Sequence, residues 1–377
     1  KERVRAAIKN SGFEFPSSRI TINLAPADLK KEGTAYDLPI AAGILSAMGV
    51  IRGESLDGAM LCGELSLDGT LRPVYGILSK TIAAKERKHE TIMVPSGNAW
   101  EASVVKGIKV IPLKNLTELV KYTNGLLEIS PIETEWSCIQ GEAIEDMPDF
   151  ADVKGQQYAK RALEVAAAGG HNCMLIGSPG SGKTMLARRM PSILPDLTFD
   201  EALEVSKIHS VAGLLPPDSS LITKRPFRAP HHTISAPSLI GGGRIPRPGE
   251  VSLAHLGVLF LDELPEFTKN ALEVLRQPLE DGFALISRVN SSITYPCRTT
   301  LIAAANPCRC GFYLDDTREC TCSYSEIRRY LGKISGPLLD RLDIQVEVPT
   351  LKYDELDNDT KAEPSDTIRQ RVNTARK

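Results

Sequence analysis

The sequence predicts an α/β protein in two parts, a larger α/β unit behind a smaller α+β one. Three observations carry that expectation. At 377 residues the chain exceeds what a single core ordinarily organises. Residues 128–152 hold eight acidic residues, two prolines and no Lys or Arg, the composition of a solvated linker. From residue 153 onward, apolar strand-like runs alternate with helical patterns. The boundaries are therefore 1–127, 128–152, 153–350 and 351–377, the last polar and acidic before a helical pattern near Ser365.

The elements follow in order. Lys1–Gly12 reads as a charged helix with Val4, Ala7 and Ile8 on one face. Arg19–Leu24, Thr91–Pro95 and Ile108–Pro112 read as strands, and Leu38–Met48 and Ile77–Lys88 as helices. In the second part the strand runs are Asn172–Ile176, Gly257–Leu261 and Thr300–Ala305, with a helix over Met185–Met190. Phe283–Ile286 and Ile293–Tyr295 flank the polar segment Arg288–Ser292, the pattern of a β-hairpin.

Composition narrows the function classes. Lys+Arg total 45 against Asp+Glu 47, so the net charge of −2 excludes a polycation that coats nucleic acid by bulk charge. No apolar run reaches 18 residues, so no membrane-spanning helix is expected. The eight cysteines show no disulfide framework, which suits a reducing compartment and a cytoplasmic location. The first residue is Lys1 and the chain stops in a helical pattern at Lys377, as expected for a piece of a longer chain.

The strongest motif is Gly177-Ser178-Pro179-Gly180-Ser181-Gly182-Lys183-Thr184, set between a strand and a helix. The glycines let backbone N–H groups curl around a phosphate, and the helix N-terminus adds partial positive charge. Lys183 can reach the β- and γ-phosphates of a nucleotide such as ATP, and Thr184 offers a hydroxyl to Mg²⁺. The second strand run ends in Asp262-Glu263: Asp262 suits the Mg²⁺ shell, and Glu263 suits orienting and deprotonating a water. The third ends in Asn306, an uncharged group placed to touch the γ-phosphate or that water.

This order, and the strings Arg225-Pro-Phe-Arg-Ala-Pro-His-His232, Gly241-Gly-Gly243, Pro248–Gly257, Asn306-Pro-Cys-Arg-Cys-Gly311 and Ser335–Asp343, resemble the magnesium-chelatase-like ComM/YifB family of AAA+ P-loop ATPases. The resemblance covers essentially the whole chain. It implies a homo-hexameric ring with ATP between subunits, in which Arg341 matches the arginine that reaches a neighbour's γ-phosphate. The alternative for Arg341 is an ion pair with Asp340 or Asp343. Family members carry a further arginine on a C-terminal helical lid. Arg369, Arg371 and Arg376 match that motif poorly, so nucleotide binding with weak hydrolysis is expected of this chain.

Lys183 and Asp262 stand 79 residues apart, long for such a core. The excess includes 207–249, with six Lys/Arg against Asp218, a local charge of +5. Such an insert suits a phosphate backbone, and Lys224, Arg225, Arg244 and the hairpin's Arg288 are the expected DNA contacts. His231 and His232, read as pointing to opposite faces of an extended segment, are not expected to hold a metal. Cys308-x-Cys310 and Cys320-x-Cys322 bring four thiols into one loop, a donor set for tetrahedral Zn²⁺.

Residues 1–127 are similar to the proteolytic domain of Lon proteases, through Ile22–Ala25, Lys31–Thr34, Cys62–Gly69 and Gly76–Lys80. Lys80 falls at the family's catalytic lysine, but Gly33-Thr-Ala-Tyr-Asp37 stands where its serine would be, with only Thr34 as a substitute. A proteolytically inactive domain is expected. The resemblance implies a ring motor on single- or double-stranded DNA, a helicase or branch-migration factor in recombination or natural transformation. A metal-insertion motor with a partner subunit is the alternative, and an ATP-dependent protease machine the third reading.

Overall fold

The computed structural model describes residues 2–25, 33–136, 147–216, 219–243, 246–288, 291–313, 315–351 and 362–377. Its contacts divide the chain into two compact units, Lys1–Gly141 with His209–Ile222, and Glu142–Ile208 with Thr223–Lys377. The basic stretch expected as one insert, 207–249, is thus shared between them.

In the first unit, β1 (Ala59–Leu61), β4 (Thr91–Pro95) and β5 (Lys109–Leu113) form a parallel sheet in that order, and β2 (Glu64–Leu65) pairs antiparallel with β3 (Leu71–Arg72). The helix Glu2–Asn10 buries Val4, Ala7 and Ile8, the face its periodicity predicted, against Leu38, Ala41 and Leu45 of the helix Asp37–Ala47. The helix Ile77–Glu86 also lies where expected. Arg19–Leu24 forms no strand: with no partner strand among the described residues, alternating Ile20, Ile22 and Leu24 remain exposed. His209–Ile222 joins this unit by specific bonds: Ser210 donates its hydroxyl to buried Glu101 at 2.8 Å and accepts the Gly76 N–H.

The second unit is built on a five-stranded sheet, β14 (Ile344–Glu347), β6 (Cys173–Ile176), β13 (Thr300–Ala305), β10 (Val258–Leu261) and β7 (Phe227–Arg228), in that order and parallel throughout. Its central strands are buried on both faces. Cys173, Leu175, Val258, Phe260, Ile302 and Ala304 enter one core cluster, and Met174, Leu259, Leu261, Leu301, Ala303 and Ala305 the other. This is why they read as unbroken apolar runs: period-2 alternation cannot show when both sides are dry. Between β7 and β10 lies the small pair β8 (Gly241–Gly242) and β9 (Arg247–Pro248). The hairpin β11 (Phe283–Arg288) and β12 (Ser291–Pro296) pairs as expected, but its strands run further than the sequence suggested, with Arg288 opposite Ser291.

Candidate nucleotide site and cysteine cluster

A parallel sheet delivers every strand's C-terminal end to one edge, and ligands bind there. Here the phosphate loop leaves β6, Asn306 leaves β13 and Asp262-Glu263 leave β10, with β13 between the other two. The spatial order puts Asn306 at the centre, which chain order did not reveal.

The loop is held from both sides. Gly177 has no room for a side chain, since a Cβ there would stand 2.2 Å from the Val348 carbonyl oxygen. Lys183 opens the helix Lys183–Ile193. Its Nζ donates to the carbonyls of Gly177 at 2.7 Å and Ser178 at 2.8 Å, and to Asn306 Oδ1 at 3.3 Å. Burial pushes the Lys183 pKa down, against the pull of the Asp262 and Glu263 charges. Ser181 is buried with its hydroxyl oxygen unpartnered, inside a loop of the shape that wraps a phosphate. Gly180 and Gly182 take the left-handed backbone that this curl requires. These residues fit a nucleoside triphosphate.

Thr184 Oγ1 donates to Asp262 Oδ2 at 2.7 Å, so two hard oxygens stand side by side, a donor pair suited to Mg²⁺. Asp262 Oδ1 accepts the Glu263 N–H at 3.0 Å. Glu263 is itself left-handed, φ 52° and ψ 47°, a conformation that costs a non-glycine residue about 1–3 kcal/mol. Its carboxylate stands 3.2 Å from His232 Nδ1. Sequence reasoning missed this partner. His231 and His232 do not point to opposite faces: a turn closed by the Ile234 N–H on the His231 carbonyl brings their rings to 4.1 Å, tilted by 34°. A second missed residue is Gln156, whose amide donates to the Ser181 and Pro349 carbonyls at 3.1 and 2.7 Å and braces the loop.

Arg341 pairs with neither Asp340 nor Asp343 but with Glu280, at 2.8 Å. Arg225, expected at DNA, is turned inward. Its guanidinium donates to the carbonyls of Pro195, Leu256 at 2.7 Å and Asp196 at 3.4 Å, and faces Glu201 at 3.4 Å. Arg228 is bound bidentately by Glu250 at 2.6 and 2.8 Å. Counting charges along 207–249 therefore overstated the positive surface. Lys224 is half-buried. Arg244 lies outside the described residues, as does the side chain of Arg288.

The four loop cysteines converge, with all four sulfurs within 4.8 Å of one another. Cys308 Sγ lies 3.3 Å from Cys310 and 3.7 Å from Cys320, and Cys310 lies 3.6 Å from Cys320. Four sulfurs set tetrahedrally about 2.3 Å from a zinc ion are about 3.8 Å apart, whereas a disulfide needs about 2.05 Å. The donor set fits Zn²⁺.

In the first unit, Thr34 donates to Glu64, and Lys80 donates to the Tyr75 carbonyl at 2.8 Å. Each is engaged with a partner other than the one a Thr–Lys dyad would need.

Comparison with known proteins agrees with this geometry. The family described as "Magnesium chelatase, subunit ChlI" matches residues 149–356, and "Subunit ChlI of Mg-chelatase" matches 1–98. The competence protein ComM of Haemophilus influenzae is 45% identical, with 99% of this chain and 73% of that protein covered. The chain belongs to the magnesium-chelatase-like ComM/YifB family. YifB of Escherichia coli is 44% identical over 100% of this chain and 73% of its own length. An uncharacterised Mycobacterium tuberculosis protein is 47% identical over 100% and 74%. ComM/YifB membership makes the chain an AAA+ P-loop ATPase, and among the described residues no helix is long and apolar enough to cross a membrane.

Proposed function

We propose that this chain is the subunit of a homo-hexameric ring that spends ATP to move on DNA, as a helicase or branch-migration factor in recombination or natural transformation. The observation that carries the reading is the hairpin β11–β12. It is inserted between the strand that ends at Asp262 and the strand that ends at Asn306, joined to the first through the helices Lys269–Glu273 and Arg276–Asp281 and to the second by residues 297–299, so a rearrangement at the nucleotide reaches it from both sides. Arg341 strengthens that link, because its partner Glu280 lies in the helix Arg276–Asp281 at the root of the hairpin. An Arg341 that turns to a neighbouring subunit's γ-phosphate must release Glu280. The name of one relative, the competence protein ComM, supports DNA as the substrate class.

The residues divide the work as follows. The loop 177–184 and Lys183 bind the phosphates, and Thr184 and Asp262 would hold the Mg²⁺ that neutralises them. Glu263 takes the proton of the attacking water, His232 steers its carboxylate, and Asn306 aligns Lys183 and the water. Residues 1–127 serve assembly or docking, without proteolysis. Cys308, Cys310, Cys320 and Cys322 bind one structural Zn²⁺, to be verified by elemental analysis.

The test is DNA binding by the full chain with a non-hydrolysed ATP analogue across a salt series. Affinity should fall steeply with salt, and DNA should accelerate ATP hydrolysis. ATP hydrolysis without DNA binding at low salt would overturn the reading. It would leave the metal-insertion motor suggested by the family's name, with its partner subunit.

A further inference from the structure

The loop that carries the cysteines runs straight out of Asn306 and has no helix or strand of its own among the described residues before the helix Tyr324–Leu331. It nevertheless reaches the phosphate loop at one point and the segment behind that loop at another. Asp315, between the two cysteine pairs, accepts from Thr350 Oγ1 at 2.8 Å, next to Pro349, whose carbonyl accepts from the same Gln156 amide that braces Ser181. The same carboxylate accepts the N–H groups of Thr317 at 2.8 Å and Arg318 at 3.1 Å, which fix its direction. The nearby hydroxyls, Ser178 first and then Thr317 and Thr350, hold the Asp315 pKa well below the usual carboxylate range. The second point is Gly311, at φ +91°, whose backbone lies flat on Pro179. A Cβ there would stand 2.6 Å from Pro179 Cδ.

One short loop therefore touches Pro179 and Thr350 and continues directly from Asn306, which accepts from Lys183. A segment without its own hydrogen-bonded ladder keeps such contacts only if something else holds its shape. Within it, the four sulfurs are the device that could do so.

We propose that Zn²⁺ bound by Cys308, Cys310, Cys320 and Cys322 sets the nucleotide affinity of the phosphate loop, by fixing Gly311 against Pro179 and Asp315 against Thr350. This rests on the zinc reading of the cluster given above. With the metal bound, the brace is in place before the nucleotide arrives. Without it, the thiols separate, and ordering the loop is charged against binding.

The full chain is purified with zinc, its metal content measured, and a fluorescent ADP derivative titrated into zinc-loaded, chelator-stripped and zinc-restored protein. One zinc per chain is expected, with Kd for ADP rising at least about fivefold on stripping and returning on restoration. Asp315→Asn should keep its zinc, bind ADP at least about threefold more weakly, and lose most of the zinc dependence of Kd. If stripping unfolds the chain, as far-UV circular dichroism would show, the zinc-loaded Asp315→Asn comparison decides alone. One bound zinc with equal ADP affinity in wild type and Asp315→Asn would overturn the coupling and leave the zinc site standing. No zinc uptake at all would overturn the zinc reading, and the coupling with it.

Discussion

Arg225→Ala separates a structural arginine from a DNA-binding one. In the wild type the guanidinium is buried and satisfies the carbonyls of Pro195 and Leu256 while facing Glu201. Its side chain is 8% exposed and Glu201's is 33%, so solvent takes over only part of what is lost. Removing one partner of a buried ionic pair costs about 3–5 kcal/mol, and the half-open Glu201 reduces that to about 3 kcal/mol. For a unit of this size each kcal/mol moves the midpoint by about 2–4 °C, so Tm should fall by about 6–12 °C. The assay is thermal unfolding followed by circular dichroism, paired with DNA binding at a temperature where the variant is folded. DNA affinity should change by less than about twofold, since no cationic group leaves the surface. An unchanged Tm with a clear loss of DNA affinity would refute this account of Arg225.

Glu263→Gln should keep nucleotide affinity and lower turnover by at least about a hundredfold, because a proton acceptor is lost and no phosphate contact is. His232→Ala removes a half-exposed partner of Glu263, so kcat should move by no more than about fivefold with Kd unchanged. A hundredfold loss in steady-state turnover would instead make His232 a direct participant. Gly177→Ala drives a Cβ into the Val348 carbonyl and should abolish fluorescent-nucleotide binding while the rest of the chain keeps its circular dichroism. The Glu164 carboxyl is held below the usual carboxylate range, first by Arg371. Its contribution is complete above the unfolded value of about 4.3 and is lost as pH falls through the lower folded value. Tm measured from pH 6 to pH 3 should fall less steeply in Arg371→Ala than in wild type.

The sequence by itself determined the parts whose physics is local. The phosphate loop needs glycines, a lysine and a hydroxyl in consecutive positions, so Gly177–Thr184 was legible without a neighbour. The buried strands β6, β10 and β13 were legible because a sheet covered on both faces needs unbroken apolar runs. Cys308, Cys310, Cys320 and Cys322 announced themselves by spacing, and their convergence required only one short loop. Arg19–Leu24 shows the limit of that reasoning, since alternation makes a strand only where another edge receives it.

Tertiary structure decided everything that depends on partners distant in the chain. The lateral order of the sheet places Asn306 between the phosphate loop and Asp262, and no local pattern encodes strand order. The fate of each arginine was settled the same way. Arg225, Arg228 and Arg341 are equally cationic in the sequence, but one is buried against carbonyls, one is clasped by Glu250, and one is held by Glu280 at the root of a hairpin. Charge is a property of the residue, whereas its availability is set by what the fold brings within about 3 Å of it.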